Sequence, residues 1–144
     1  ICGNGPDEDE LRKLIHEKKL EKQVQLIGFR TDMNEILQTA DVFAFPSIRE
    51  GLGIAAIEAL ACGVPLIVAD NRGTREYLHN DKNGLICDAF DRNAFVAAID
   101  KVYSNVEYRK KLADYCRESV IQFSTEETVR TMERIYSTMD KRIS

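Results

Sequence analysis

The segment Pro46-Ser47-Ile48-Arg49-Glu50-Gly51-Leu52-Gly53-Ile54 places a carboxylate, two glycines and the start of an apolar run in immediate succession. It reads as a loop leading from a strand into a helix. Two glycines leave the backbone open at the helix start, where the first N–H groups lack intrahelical partners and the dipole is positive. Such an end suits a phosphate or another electron-rich group. Glycines at a helix start also serve close packing, so the pair alone leaves both readings open. A second carboxylate, Glu58, follows among Ile54, Ala55, Ala56, Ile57, Ala59, Leu60 and Ala61. A charge in so apolar a helix is expected to cost several kcal/mol unless it is partnered. Its partner is either a basic residue of the next loop, Arg72 or Arg75, or a pair of vicinal sugar hydroxyls, which one carboxylate accepts together.

These residues need elements to hold them. Ile1-Cys2 reads as the end of a strand, followed by the turn Gly3-Asn4-Gly5-Pro6. A helix with acids in its first turn is expected from Asp7 to about Lys19. Val24-Gln25-Leu26-Ile27 reads as a strand stopping at Gly28, and Asp32 with Glu35 as a capping box for a short helix to Thr39. Val42 to Phe45 is a buried strand. A helix is expected from about Leu52 to Cys62, ended by Gly63. Leu66 to Ala69 is the next strand, with a short helical turn around Arg75 to Leu78. Asn83-Gly84 is a turn signal, and Leu85-Ile86-Cys87 a last short strand. Helices then cover Arg92 to Tyr103, Glu107 to about Gln122, and a final stretch from Thr125, where Ser124 and Glu127 spell a capping box.

Strands that are continuous apolar runs, alternating with helices, indicate an α/β fold: a Rossmann-like parallel sheet with helices on both faces and a helical C-terminus. Ligands of such sheets bind at the carboxyl ends of the strands, which points to the loops after residues 2, 28, 46 and 69. The length of 144 residues fits one domain spanning 1–144. A chain opening inside a strand is expected to be a fragment of a longer protein. The stretch from Gly51 to Ala69 holds only Glu58 as an ionisable residue, but Gly63 and Pro65 interrupt it, so a buried helix and strand are expected there rather than a membrane span.

Composition narrows the partners. Hydrophobic residues are 44% and charged residues 31%, ordinary for a globular protein, and the formal net charge is −4. Basic residues are scattered, so nucleic acid is not an expected partner. Cys2, Cys62, Cys87 and Cys116 contain no CxxC pair and only two histidines accompany them. Free thiols in a reducing cytoplasm are expected, with neither zinc nor disulfides. Ser47 lacks a nucleophile-elbow pattern. His16 and His79 sit among charged residues and read as solvated. Tyr103, Tyr108 and Tyr115 read as packing residues.

The string Glu50-Gly51-Leu52-Gly53-Ile54, then Glu58-Ala59-Leu60-Ala61-Cys62-Gly63-Val64-Pro65, resembles the signature of glycosyltransferase family 4, the retaining "group 1" enzymes. Gly3-x-Gly5-Pro6, Val24-x-Leu26-x-Gly28, Ala40-Asp41-Val42-Phe43 with Pro46-Ser47, Gly73-x-x-Glu76 and Phe123-Ser124 fall in the family's order. The resemblance implies the C-terminal, nucleotide-sugar-binding half of a GT-B fold. It implies that Glu50 contacts the donor hexose as the catalytic carboxylate, and that the amides of Gly51, Leu52, Gly53 and Ile54 meet the sugar or diphosphate. Glu58 would hold the ribose hydroxyls, and the backbone at Phe29 and Arg30 would meet the base. It implies no cofactor and no metal, the substrate being a nucleotide diphosphate-sugar, with uridine the expected nucleoside.

The family's diphosphate-clamping Arg and Lys precede the Gly3-x-Gly5-Pro6 turn, so that clamp and the N-terminal acceptor domain are expected to lie outside this sequence. The isolated chain is then expected to be inactive. Val129, Met132, Ile135, Tyr136 and Met139 form an apolar stripe, suited either to packing on the missing domain or to packing on its own. The loop Asp70 to Glu76 resembles bacterial capsule and exopolysaccharide enzymes, whose acceptors are saccharides or lipid-linked saccharides. Enzymes of this kind touch the inner face of the membrane through basic patches, and the runs Lys18-Lys19 and Arg109-Lys110-Lys111 are too small to establish this. A nucleotide-sugar-binding module without transfer, and a nucleotide-sugar epimerase of the same fold, stand as alternatives. Glu50 and the Gly51-x-Gly53 helix start favour the transferase over the epimerase.

Overall fold

The computed structural model describes residues 1–143, with side chains through Met139. The chain forms two compact units, one of Ile1–Met33 and a second that begins at Asn34.

In the first unit, α1 spans Glu8–Glu17 with Glu8, Asp9 and Glu10 in its first turn. It stops two residues short of the expected end. Lys19 takes a left-handed conformation at φ 57°, and the Lys19 and Leu20 N–H groups donate to the His16 and Ile15 carbonyls at 3.0 and 2.9 Å. This is a Schellman closure with lysine where glycine is usual. Neither of the two expected strands forms as a regular strand, although three hydrogen bonds join the two segments. Ile1 N donates to Gln25 O at 2.7 Å. Ile27 N donates to Ile1 O at 3.0 Å, and Gly3 N to Gly28 O at 2.7 Å. Gly3 at φ 110° and Gly28 at φ 65° turn both segments away after that.

The second unit is built on a parallel sheet ordered β1-β2-β3, from β1 (Phe43–Phe45), β2 (Leu66–Ala69) and β3 (Gly84–Cys87). Phe43 pairs with Leu66 and Leu66 with Gly84. All four residues of β2 are buried, so both its faces are covered, as a continuous apolar strand requires. Helix α2 (Met33–Gln38) begins at the unit boundary, and α3 (Ile54–Ala61), α4 (Arg92–Ser104), α5 (Val106–Ser119) and α6 (Thr125–Ile143) follow. Ile67, Leu85, Cys87, Ala98, Val102 and Leu112 form the core between sheet and helices.

Of the expected caps, the one at Gly63 forms in full. Gly63, at φ 84°, ends α3, with its N–H on Leu60 O and that of Val64 on Ala59 O, both at 2.9 Å. Ser124 Oγ accepts from Glu127 N at 3.3 Å, but the Glu127 carboxylate turns to Arg130, so only half of that capping box forms. Asp32 is also diverted, to Arg30. Along α6, Val129, Met132, Ile135, Tyr136 and Met139 are all exposed. Among the described residues no helix is long and apolar enough to cross a membrane, and Gly51 to Ala69 divides into a helix and a strand as expected.

Candidate functional site

The loop after β1 and the helix that follows carry six of the eight sequence-predicted site residues. Helix α3 starts two residues later than expected because Gly53, its N-cap, is left-handed at φ 77°. A Cβ on Gly53 would lie 2.8 Å from the Tyr77 hydroxyl oxygen and 3.1 Å from Phe45 Cε1. Both the conformation and the space therefore demand glycine. Asp91 caps α4 and Asn105 caps α5, whereas no side chain caps α3 and no acid stands in its first turn. Its leading N–H groups keep their capacity for an external acceptor.

Glu50 is half-buried just ahead of that helix start. Ser47 Oγ donates to its Oε1 at 2.7 Å. The loop itself is held from the next strand end: Asn71 Nδ2 donates to Ser47 O at 2.8 Å, while Thr74 N donates to Asn71 Oδ1 at 3.1 Å. Thr74 Oγ1, fully buried, donates to Ala69 O at 2.9 Å. Gly73 passes directly against the Glu50 backbone.

Gly51, Leu52 and Ile54 are exposed on the same loop and helix start. Glu58 is also exposed, on the outward face of α3. It stands four residues after Ile54 and so on the same side of the helix, about 6 Å further along the axis. This corrects the expected cost of placing a charge in α3: Ala56, Ala59 and Leu60 take the buried face, and the Glu58 carboxylate stays in water. The basic partner considered for it is absent too. Arg75 binds Asp70 instead, Nε to Oδ1 at 2.7 Å and Nη2 to Oδ2 at 2.9 Å, holding the Asp70 carboxyl below its usual range. Among the described residues the Glu58 carboxylate has no ion pair or hydrogen-bond partner.

Phe29 and Arg30 belong to the first unit, directly after Gly28. Phe29 is 75% exposed. Arg30 donates from Nε to Asp32 Oδ1 at 2.8 Å, a bond that lowers the Asp32 pKa.

Tyr77 is a residue the sequence did not single out. It is completely buried, and its hydroxyl has no hydrogen-bond partner among the described residues. Burial, with the Glu50 charge as the lesser cause, pushes its pKa up to about 12. Nothing local marks it, since a tyrosine after Glu76 reads equally as surface or core. Other candidates recede. Tyr108 donates to Asp81, Tyr115 meets the edge of His79, and Tyr103 is exposed rather than packed. Among the described residues no cluster of His, Cys, Asp or Glu could hold a metal ion, and all four cysteines are free.

The family described as "Glycosyl transferases group 1" matches residues 1–119. The chain belongs to this family. It is 36% identical over 137 residues to the putative glycosyltransferase EpsD of Bacillus subtilis, covering 95% of this chain and 36% of that protein. It is 30% identical over 127 residues to the lipopolysaccharide core biosynthesis glycosyltransferase LpsE of Rhizobium meliloti, covering 88% of this chain and 37% of that protein. The chain thus spans about a third of the length of these curated relatives. A crystal structure of the Staphylococcus aureus TarM G117R mutant, with fondaparinux, alpha-GlcNAc-glycerol and UDP, superposes with a TM-score of 0.86 at 26% identity. That match covers 94% of this chain and 28% of the TarM chain. The Rossmann-like parallel sheet and helical C-terminus are accordingly those of a GT-B glycosyltransferase.

Proposed function

We propose that this chain is the donor-binding part of a retaining glycosyltransferase, which moves a sugar from a UDP-sugar to a saccharide or lipid-linked acceptor. The observation that carries the reading is the pairing on α3 of an uncapped N-terminus beside half-buried Glu50 with a free, outward Glu58 about one turn along the same face. The two carboxylates and the amides between them match a ligand with a sugar at one end, an anion in the middle and a diol at the other. Glu50 positions the hexose. The amides of Gly51, Leu52, Gly53 and Ile54 meet the charge that develops on the leaving diphosphate. Glu58 accepts from both ribose hydroxyls. No metal ion is required in this scheme.

Support for the uridine nucleotide comes from TarM, whose structure contains UDP. Support for a saccharide acceptor comes from LpsE, named for lipopolysaccharide core synthesis. The acceptor site and the basic diphosphate clamp belong to segments other than this one, and the work is done on the cytoplasmic side, where nucleotide-sugars are available.

Calorimetric titration of the protein with UDP, GDP and ADP tests the reading, with Glu58→Ala as the control. UDP is expected to bind, and the variant is expected to bind it about tenfold or more weakly, the loss of two charge-assisted hydrogen bonds. Because Glu58 is exposed and unpartnered, the variant's stability should stay within about 0.5 kcal/mol of the wild type. Wild-type affinity in the variant would sink the assignment of Glu58.

A further inference from the structure

The Tyr77 hydroxyl is the one buried side-chain polar atom without a partner among the described residues. A hydroxyl in that state is costly, because it has given up water and gained no acceptor. The ring has reasons to be there: it meets Phe123 edge-to-face at 6.5 Å. Its backbone is also secured, with Asn83 Nδ2 donating to Tyr77 O at 2.9 Å and to Ser119 Oγ at 2.8 Å. Phenylalanine would satisfy all of that. The oxygen atom remains to be explained.

Its position supplies the explanation. The hydroxyl lies directly beneath Gly53, so close that a Cβ there would be 2.8 Å away. Gly53 is the N-cap of α3 and the last residue of the loop that begins at Glu50. The polar side chains that brace that loop already have bonds. Ser47 Oγ donates to Glu50, Asn71 Nδ2 to Ser47 O, and Thr74 Oγ1 to Ala69 O. The network therefore fixes the loop's entrance and leaves one buried side-chain donor without a partner under its exit.

We infer that Tyr77 is a positioning residue for donor binding: its hydroxyl is a reserve hydrogen-bond donor that the loop Glu50–Gly53 engages when the donor is bound. The inference rests on the donor-site reading above. Tyr77 does not touch the ligand, since its hydroxyl is sealed under the loop. A small inward shift of the loop brings an oxygen of that segment onto the hydroxyl, so part of the nucleotide's binding energy comes from a bond made inside the protein. Ligand affinity and the cost of the orphan hydroxyl in the free protein are then two sides of one arrangement.

The test is Tyr77→Phe in the protein expressed over its whole reading frame, compared with the wild type and with Glu58→Ala. Two quantities are read, the thermal midpoint without ligand and the affinity for UDP, with GDP and ADP alongside. The inference expects opposite signs. The midpoint stays the same or rises by a few degrees, because an unsatisfied buried oxygen is removed. UDP affinity falls about tenfold, the worth of one hydrogen bond to the loop.

Two results would overturn it. Unchanged UDP affinity would show that the hydroxyl plays no part in binding, and a lowered midpoint would show that it already has a partner in the free protein. If Glu58→Ala loses UDP while Tyr77→Phe keeps it, this inference alone falls. If the wild type binds none of the three nucleotides, the donor-site reading falls and takes the inference with it. Tyr77→Leu separates the ring from the oxygen: it should lower the midpoint, which Tyr77→Phe should not.

Discussion

Gly73 and Glu50 stand so close that position 73 has no room for a side chain. A Cβ there would lie 2.8 Å from the Glu50 carbonyl oxygen and 3.0 Å from Glu50 Cβ. Gly73 has ordinary helical dihedrals, φ −65° and ψ −40°, so conformation does not require glycine; only the approach of the two loops does. The loop after β2 thereby serves as the backstop of the loop that carries Glu50.

Gly73→Ala should therefore act on the site rather than on its own backbone. The neighbour is main chain and has to shift, at a cost of about 1–3 kcal/mol. Denaturant titration should show that loss, and UDP affinity should fall as Glu50 is displaced. Gly5→Ala is the matched comparison, since nothing lies within 4 Å of a Cβ there. Equal UDP affinity in Gly73→Ala and wild type would mean that the position of Glu50 does not limit binding.

Gly84→Ala should be far more damaging to the fold. A Cβ at 84 would sit 2.3 Å from Leu66 O and 2.9 Å from Leu78 Cδ1, in the register that pairs β3 with β2. The two strands would have to separate where the sheet is wholly buried, a loss expected to exceed about 3 kcal/mol. Soluble yield and the unfolding midpoint report it, and a midpoint within error of wild type would contradict so close an approach of β3 to β2.

Alkali should unfold the protein through two buried acids. Burial pushes the Cys116 thiol from 9.0 up to about 12 and the Tyr77 phenol from 10.0 up to about 12. Both folded values are raised, so the folded state keeps protons that the unfolded chain releases. The stabilisation is whole below pH 9 for the thiol and below pH 10 for the phenol. It is then lost as pH climbs toward about 12, each group contributing a slope of roughly 1.4 kcal/mol per pH unit within its own window. Urea midpoints measured across that range should fall steadily, and Tyr77→Phe should flatten the upper part of the curve. A midpoint independent of pH up to 11.5 (roughly the top of the window) would refute this.

The elements were legible because each is marked by residues near one another in the chain. The apolar run Leu66 to Ala69 became the central strand, and two caps formed through contacts within a few residues, Gly63 ending α3 and Ser124 capping α6. Errors fell where a competitor stood nearby. Asp32 was taken by Arg30, and Gly53, by adopting a left-handed turn, delayed the start of α3.

The site divides along the same line. Spacing alone determined that Glu50 and the glycines precede a helix and that Glu58 rides on it. Which way Glu58 points was decided by tertiary packing, because Ala56, Ala59 and Leu60 claimed the core-facing side and left the carboxylate in solvent. Tyr77 under Gly53, Gly73 behind Glu50 and Asn71 on Ser47 were decided there as well. Each joins residues more than twenty positions apart on successive loops of a parallel sheet, and the approach of such loops depends on how the strands pair, a property no local run of residues contains.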